Sequence, residues 1–332
     1  MYTRRRYGFW MTFNWSKEPF IIGLIYATIL TLIYEYVFHV LNFDFSFDWQ
    51  PISVIGIAVA FYVGFKNNAS YDRTWEARKI WGGIVNNSRT FGAAVTSFIQ
   101  GPDQEAIRKE LIHRHVAWLT ALRFQLRLAR EWEHTEDRIK SKYAPNISEM
   151  YIHDLEEEVK NLICEEEFDL YSGKTNMAAQ LLQKQATRLQ ELKDKNYFED
   201  FRHMEFHKLI AEFYADQGRN ERIKNFPFPR QYASVAFWMN VIFAILTPFG
   251  LLNIFHNQDS HTVWLTIPFS ALIIWVFFLM EMIGDYSENP FEGTYNDVPI
   301  TTICRSIEID LREMLGESDI PKPIANEGGF LM

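Results

Sequence analysis

The sequence is short of what most enzymes and secreted domains are built on. It has two cysteines in 332 residues, Cys164 and Cys304, in no CxxC or Cys/His spacing. That excludes a disulfide framework and a zinc set legible from spacing, and two buried free thiols are expected. No GxSxG, HExxH, GxGxxG or Walker pattern occurs. Ser172–Thr175 (SGKT) has the tail of a phosphate loop, but Phe168 stands where its first glycine is needed, so a turn is expected there. Strand-like alternation of useful length is missing, which excludes a β architecture, and no internal repeat is visible. With a formal net charge of -9, a nucleic-acid partner is not expected.

Charge is also absent locally. Segments 20–33, 51–65 and 263–280 contain no Asp, Glu, Lys, Arg or His. A coupled transporter normally carries ionisable groups at mid-membrane, so this uniform apolarity suits a passive pore or a scaffold. Loops 42–50 and 254–261 lack Lys and Arg, whereas Arg4, Arg5, Arg6, Lys17 and the segments after the second and fourth apolar runs are basic. Every basic-rich segment then falls on one side, the cytoplasm, with both termini there. The run 20–41 has no small-residue cleavage site after it and reads as a membrane helix, not as a cleaved signal.

What is present falls into two populations beneath a mean hydropathy of -0.16. Apolar runs at about 20–41, 51–65, 233–254 and 262–283 predict four membrane helices, and the charged stretch between them predicts a large aqueous helical region. The expected fold is an all-α membrane protein, divided as 1–98 (N-terminal segment and first two membrane helices), 99–229 (cytoplasmic helical region), 230–285 (third and fourth membrane helices) and 286–332 (cytoplasmic C-terminal segment). Aromatic residues Trp10, Trp15, Phe43, Phe45, Phe47 and Trp49 flank the first helix as an interfacial belt. The run 51–65 is too short for a full span and must borrow length from the residues beyond Phe65 or sit inside protein. Within the aqueous part, helices are expected at 104–132, 150–168, 176–192, 198–216 with Gly218 as C-cap, and 298–315, and the tail from Ile320 is read as extended. The acidic clusters Glu156–Glu158 and Glu165–Glu167 read as solvated helix faces, with a cation attractor as the alternative. His203 and His207 are spaced i,i+4 and suit either a metal or a partly exposed structural pair.

The run 51–65 carries two stripes. Ile57, Phe61 and Phe65 recur every fourth position, and Gly56, Ala60 and Gly64 recur beside them. Small residues at this spacing let helices approach closely in a membrane, so the second stripe is expected to pack the helix. The first stripe then projects bulky apolar groups at whatever the packed helices surround. A hydrophobic pore constriction and ordinary packing within one chain both fit.

Two long segments carry a resemblance. Gly64–Gly82 (GFKNNASYDRTWEARKIWG) is similar to the signature of prokaryotic bestrophin homologues. Glu288–Pro299 (ENPFEGTYNDVP) with Ile303–Leu311 (ICRSIEIDL) resembles that family's segment after the fourth helix. The resemblance implies a homopentameric ion channel in the plasma membrane of a bacterium, with four membrane helices per subunit around one central pore. Its partners would be its own copies, the lipid bilayer and monovalent ions, with no cofactor. Ile57, Phe61 and Phe65 match the family's neck rings. A second constriction is implied in the helix near 198–216, at Arg202 or Phe206. Eukaryotic relatives bind calcium through a run of acids after Asn-Pro-Phe. Here Glu292-Gly-Thr-Tyr-Asn-Asp297 replaces it, leaving Glu292 and Asp297 as weak metal candidates and no expectation of calcium activation. The expected conducted species is a monovalent cation, on Asp44 and Asp48 in the outer loop and on the family's bacterial branch; the alternative is an anion (chloride) channel of the same fold, which the eukaryotic branch and Arg202 favour. The competing class is a non-conducting membrane scaffold.

Overall fold

The computed structural model describes residues 1–133, 155–256, 261–326 and 328–332. Among them the chain is helical: α1 Phe9–Leu41, α2 Trp49–Phe98, α3 Gln104–Arg127, α4 Leu155–Lys160, α5 Glu165–Ser172, α6 Met177–Asp194, α7 Asp200–Asn225, α8 Arg230–His256, a short 3-10 turn Thr262–Leu265, α9 Thr266–Tyr286 and α10 Ile300–Met314. The described residues form no strand; Tyr2 and Phe330 make an isolated antiparallel bridge. Four helices (α1, α2, α8, and the 3-10 turn with α9) are long and apolar enough to cross a membrane. The short run 51–65 does borrow length, since α2 continues unbroken for 50 residues, about 75 Å.

The chain divides into two compact units. The apolar unit holds residues 5–73 and 228–288, with α1, the first half of α2, α8 and α9. Gly23 of α1 lies against Ile274 of α9, and Trp275 Nε1 donates to Ser16 Oγ at 2.8 Å. An indole and a hydroxyl within an apolar unit pair because little water is available to either. Ile52, Val59 and Val63 of α2 bury themselves with Ala236 and Phe243 of α8. Asn42 ends α1 in the left-handed region (φ 49), which asparagine tolerates.

The polar unit holds residues 1–4, 74–227 and 289–332. Its core runs through Trp81, Ile84 and Phe91 of α2, Leu111, Trp118 and Leu119 of α3, Phe206 and Phe213 of α7, and Ile307 and Leu311 of α10. α10 buries Ile300, Cys304, Ile307 and Leu311, the i, i+4, i+7, i+11 face of an amphipathic helix. Asn176 caps α6 by accepting from the Ala179 amide at 3.0 Å. Residues 321–326 have no regular secondary structure, Gly328 and Gly329 form a turn, and Gly329 O accepts from the Thr3 amide at 2.8 Å.

Several expectations change. α7 runs through Gly218 to Asn225, so Gly218 is no cap; one glycine costs a helix only about 1 kcal/mol, and Ile223 and Lys224 beyond it are buried. α3 stops at Arg127, short of 132. Of the helix expected at 150–168, residues 150–154 lie outside the described residues, and the rest breaks into α4 and α5. The acidic clusters are not wholly solvated: Glu167 is buried and takes both Nε and Nη2 of Arg114, at 2.7 and 2.8 Å. Cys304 is buried, as expected, whereas Cys164 is exposed.

Candidate functional site

The first half of α2 has one sealed face and one open face. Ile52, Val59 and Val63 are at most 3% exposed, whereas Ile57, Phe61 and Phe65 are 58%, 67% and 64% exposed. With Ala60, Gly64 and Asn68 these three line an apolar groove. The small-residue stripe does not act as one unit. A Cβ on Gly56 would stand 2.7 Å from the Phe243 ring, so Gly56 serves packing within the chain, whereas no atom comes within 4 Å of a Cβ on Gly64. The reason is geometric: a four-residue step overshoots the turn by about 40°, so the stripe winds from the sealed face onto the open one.

A buried ion pair comes directly after the stripe. Lys66 is fully buried, and its Nζ lies 2.6 Å from Glu281 Oε1 on α9. Asn67 Nδ2 donates to the Met280 carbonyl at 2.9 Å, and a Cβ on Gly284 would overlap Asn67 Oδ1. Parting the two would leave the Lys66 ammonium buried away from its carboxylate, so the pair tolerates little rotation of α2. Lys66 sits about 100° round the helix from Phe65, and anchoring it inward turns Phe65 outward. Sequence reasoning missed this role. The signal for it was a lysine closing one uncharged run and a glutamate near the end of another.

In the polar unit, the structure separates the two candidates for a second constriction. Arg202 Nη1 donates to the Phe98 carbonyl at 3.3 Å, and its guanidinium lies 5.4 Å from the Phe98 ring. Phe206 is fully buried among Phe91, Phe98 and Phe198, with ring centroids 6.0, 5.7 and 5.2 Å away. A side chain covered on all sides by its own subunit has no surface to offer a pore, so Phe206 is a core residue. The exposed face of α7 carries Phe201, 86% exposed, and Met204.

The segment before α10 uses its acids internally. Asp297 is buried; Oδ1 accepts from Thr294 Oγ1 at 2.6 Å, and Oδ2 accepts from Arg127 Nη1 at 3.0 Å and from the Gly293 amide. Burial raises its pKa while Arg127 opposes the rise. Glu292 Oε1 accepts from Asn289 Nδ2 at 2.7 Å. Nearby, buried Lys224 pairs with buried Glu133. Burial lowers the lysine and raises the carboxylate, and each partner resists the other's shift. No cluster of three or more potential metal ligands occurs among the described residues. Asp297 and Glu292 are therefore better explained as loop and counter-ion groups than as metal ligands, because their oxygens already meet protein donors. The outer-loop acids also make local bonds: Asp44 accepts from Tyr34 Oη at 3.1 Å and the Ser46 amide at 2.8 Å, and Asp48 from the Gln50 amide at 3.0 Å.

Comparison with known proteins agrees with this architecture. The family model described as Bacterial/Fungal Bestrophin protein matches residues 17–313. A voltage-dependent anion channel-forming protein of Mesorhizobium japonicum is 28% identical over 281 residues, covering 85% of this chain and 79% of its own. A protein of the same description from Escherichia coli is 27% identical, covering 84% and 81%. The crystal structure of a bacterial bestrophin homologue from Klebsiella pneumoniae superposes with a TM-score of 0.75 at 22% identity, over 91% of this chain and 98% of that one, a likeness of fold.

Proposed function

The chain belongs to the bestrophin family, and from that premise we propose that this membrane channel protein assembles as a homopentamer around one pore whose neck is lined by Ile57, Phe61 and Phe65. The observation that carries the reading is the open face of α2. Three bulky apolar side chains stay more than half exposed on a helix whose opposite face is sealed, and Lys66 with Glu281 holds that orientation. Five copies would set these side chains as apolar rings, which gate by dewetting or by widening. Ala60 and Gly64, open in the single subunit, would receive a neighbouring helix. Phe201 is proposed for the second constriction in place of Arg202 and Phe206, because it is the most exposed of the large apolar side chains on α7, ahead of Met204.

The proposed setting is a bacterial plasma membrane with both termini cytoplasmic, since the loops 42–50 and 254–261 have no Lys or Arg. The conducted species is proposed to be a monovalent anion, because the relatives above are named as anion channel-forming proteins. The cation reading is second and rests on Asp44 and Asp48, whose hydrogen bonds to the backbone and to Tyr34 keep their charge beside the outer loop. A neutral neck does not select strongly by sign, so charged vestibules decide. The test is the reversal potential of the reconstituted protein in a KCl gradient. A value near the chloride equilibrium potential supports the anion reading, and one near the potassium potential restores the cation reading.

A further inference from the structure

We propose that His203 and His207 on α7 together bind a transition-metal dication of the zinc, nickel or copper class. The two residues are i,i+4 on a regular helix, which puts their Cβ atoms roughly 6 Å apart on adjacent turns. Neutral imidazole nitrogens bind such metals at about 2.0–2.1 Å, a reach that two side chains at this spacing share. The ring of His203 lies nearly parallel to Phe198, at 13° and 6.1 Å between centroids, and this contact supports its plane. Its Nδ1 is buried, so Nε2 is the nitrogen left for a ligand. His207 is exposed.

Other described histidines have their rings engaged. His39 lies against Glu35, His113 against Glu317 and His115 against Ser88, while His256 packs on Tyr34 and Phe38. Neither His203 nor His207 has a hydrogen-bond or ion-pair partner for its ring among the described residues. With two protein ligands and the remaining positions filled by water, binding will be weaker than in a closed four-ligand centre and will favour copper over zinc. The site is complete on one helix, so it stands whether or not α7 lines a pore.

The experiment is titration calorimetry of the purified full-length protein in detergent with ZnCl2 at pH 7.5, on the wild type, His207→Ala and His207→Gln. His207 is exposed and unbonded, so neither change disturbs packing. Saturable binding by the wild type, weakened about ten-fold or more in both variants, is the expected result. Zinc binding of equal affinity and stoichiometry in all three proteins, or none in the wild type, overturns the proposal.

Discussion

Lys66 is a residue whose worth lies in its partner. Replacing it with Met removes the buried ammonium that faces Glu281, which should cost about 3–5 kcal/mol and lower the melting temperature of the detergent-solubilised protein. The pair Lys66→Met with Glu281→Leu should recover most of that loss, because two apolar side chains remove both desolvation penalties. Recovery of stability without recovery of conductance would assign the pair to orienting Phe65. At His115, burial pushes the imidazole down to about 3 from an ordinary 6.5, and its Nε2 meets Ser88 Oγ at 2.9 Å. The folded state holds this ring neutral while the unfolded chain protonates it. Its contribution to stability is thus whole above about pH 6.5 and is lost as pH falls towards 3. Thermal melts from pH 7.5 to 4 should fall less steeply for His115→Asn than for the wild type.

At the scale of the element, α2 and α7 each set a buried face against an open one. Phe206→Ala should cost about 3–5 kcal/mol, because it empties an aromatic core, whereas Phe201→Ala should leave the melting temperature unchanged and alter conductance. Equal effects on both observables would remove Phe201 from the proposed constriction. The stripe Ile57, Phe61, Phe65 was legible in the sequence because an uncharged run with a four-residue repeat has few other readings. The division of Gly56 from Ala60 and Gly64 was not, since it depends on where Phe243 of a distant helix arrives. The length of α2 was half legible: its polar continuation carries no hydropathy signal, only periodicity. Gly218 misled because a capping signal is local, whereas α7 is held beyond it by burial of Asn220, Ile223 and Lys224. The acidic clusters misled for the same reason: Arg114 comes from 53 residues away to meet Glu167.

For the whole molecule, the membrane character and the family were legible, because four apolar runs and two long motifs are spread from the N-terminal to the C-terminal part of the chain. The assignment of Phe206 was not, since burial belongs to the folded polar unit. The assembly has a discriminating pair of substitutions. Gly56→Leu should destabilise the subunit itself, as overpacking against Phe243 costs about 1–3 kcal/mol. A Cβ at Gly64 meets no atom of its own chain, so Gly64→Leu should leave the subunit folded and weaken the oligomer, read by native mass spectrometry. A wild-type monomer or dimer in that measurement would remove the pentamer.

The claim that the open face of α2 is the neck of a pore is tested most directly by single-channel conductance in a planar bilayer. The measurement compares the wild type with the combined Ile57→Ala, Phe61→Ala, Phe65→Ala variant in symmetric KCl. Removing the bulky side chains lowers the dehydration barrier, and the account predicts a larger unitary conductance in the variant. A unitary conductance equal to that of the wild type, in a variant that still assembles, would contradict it.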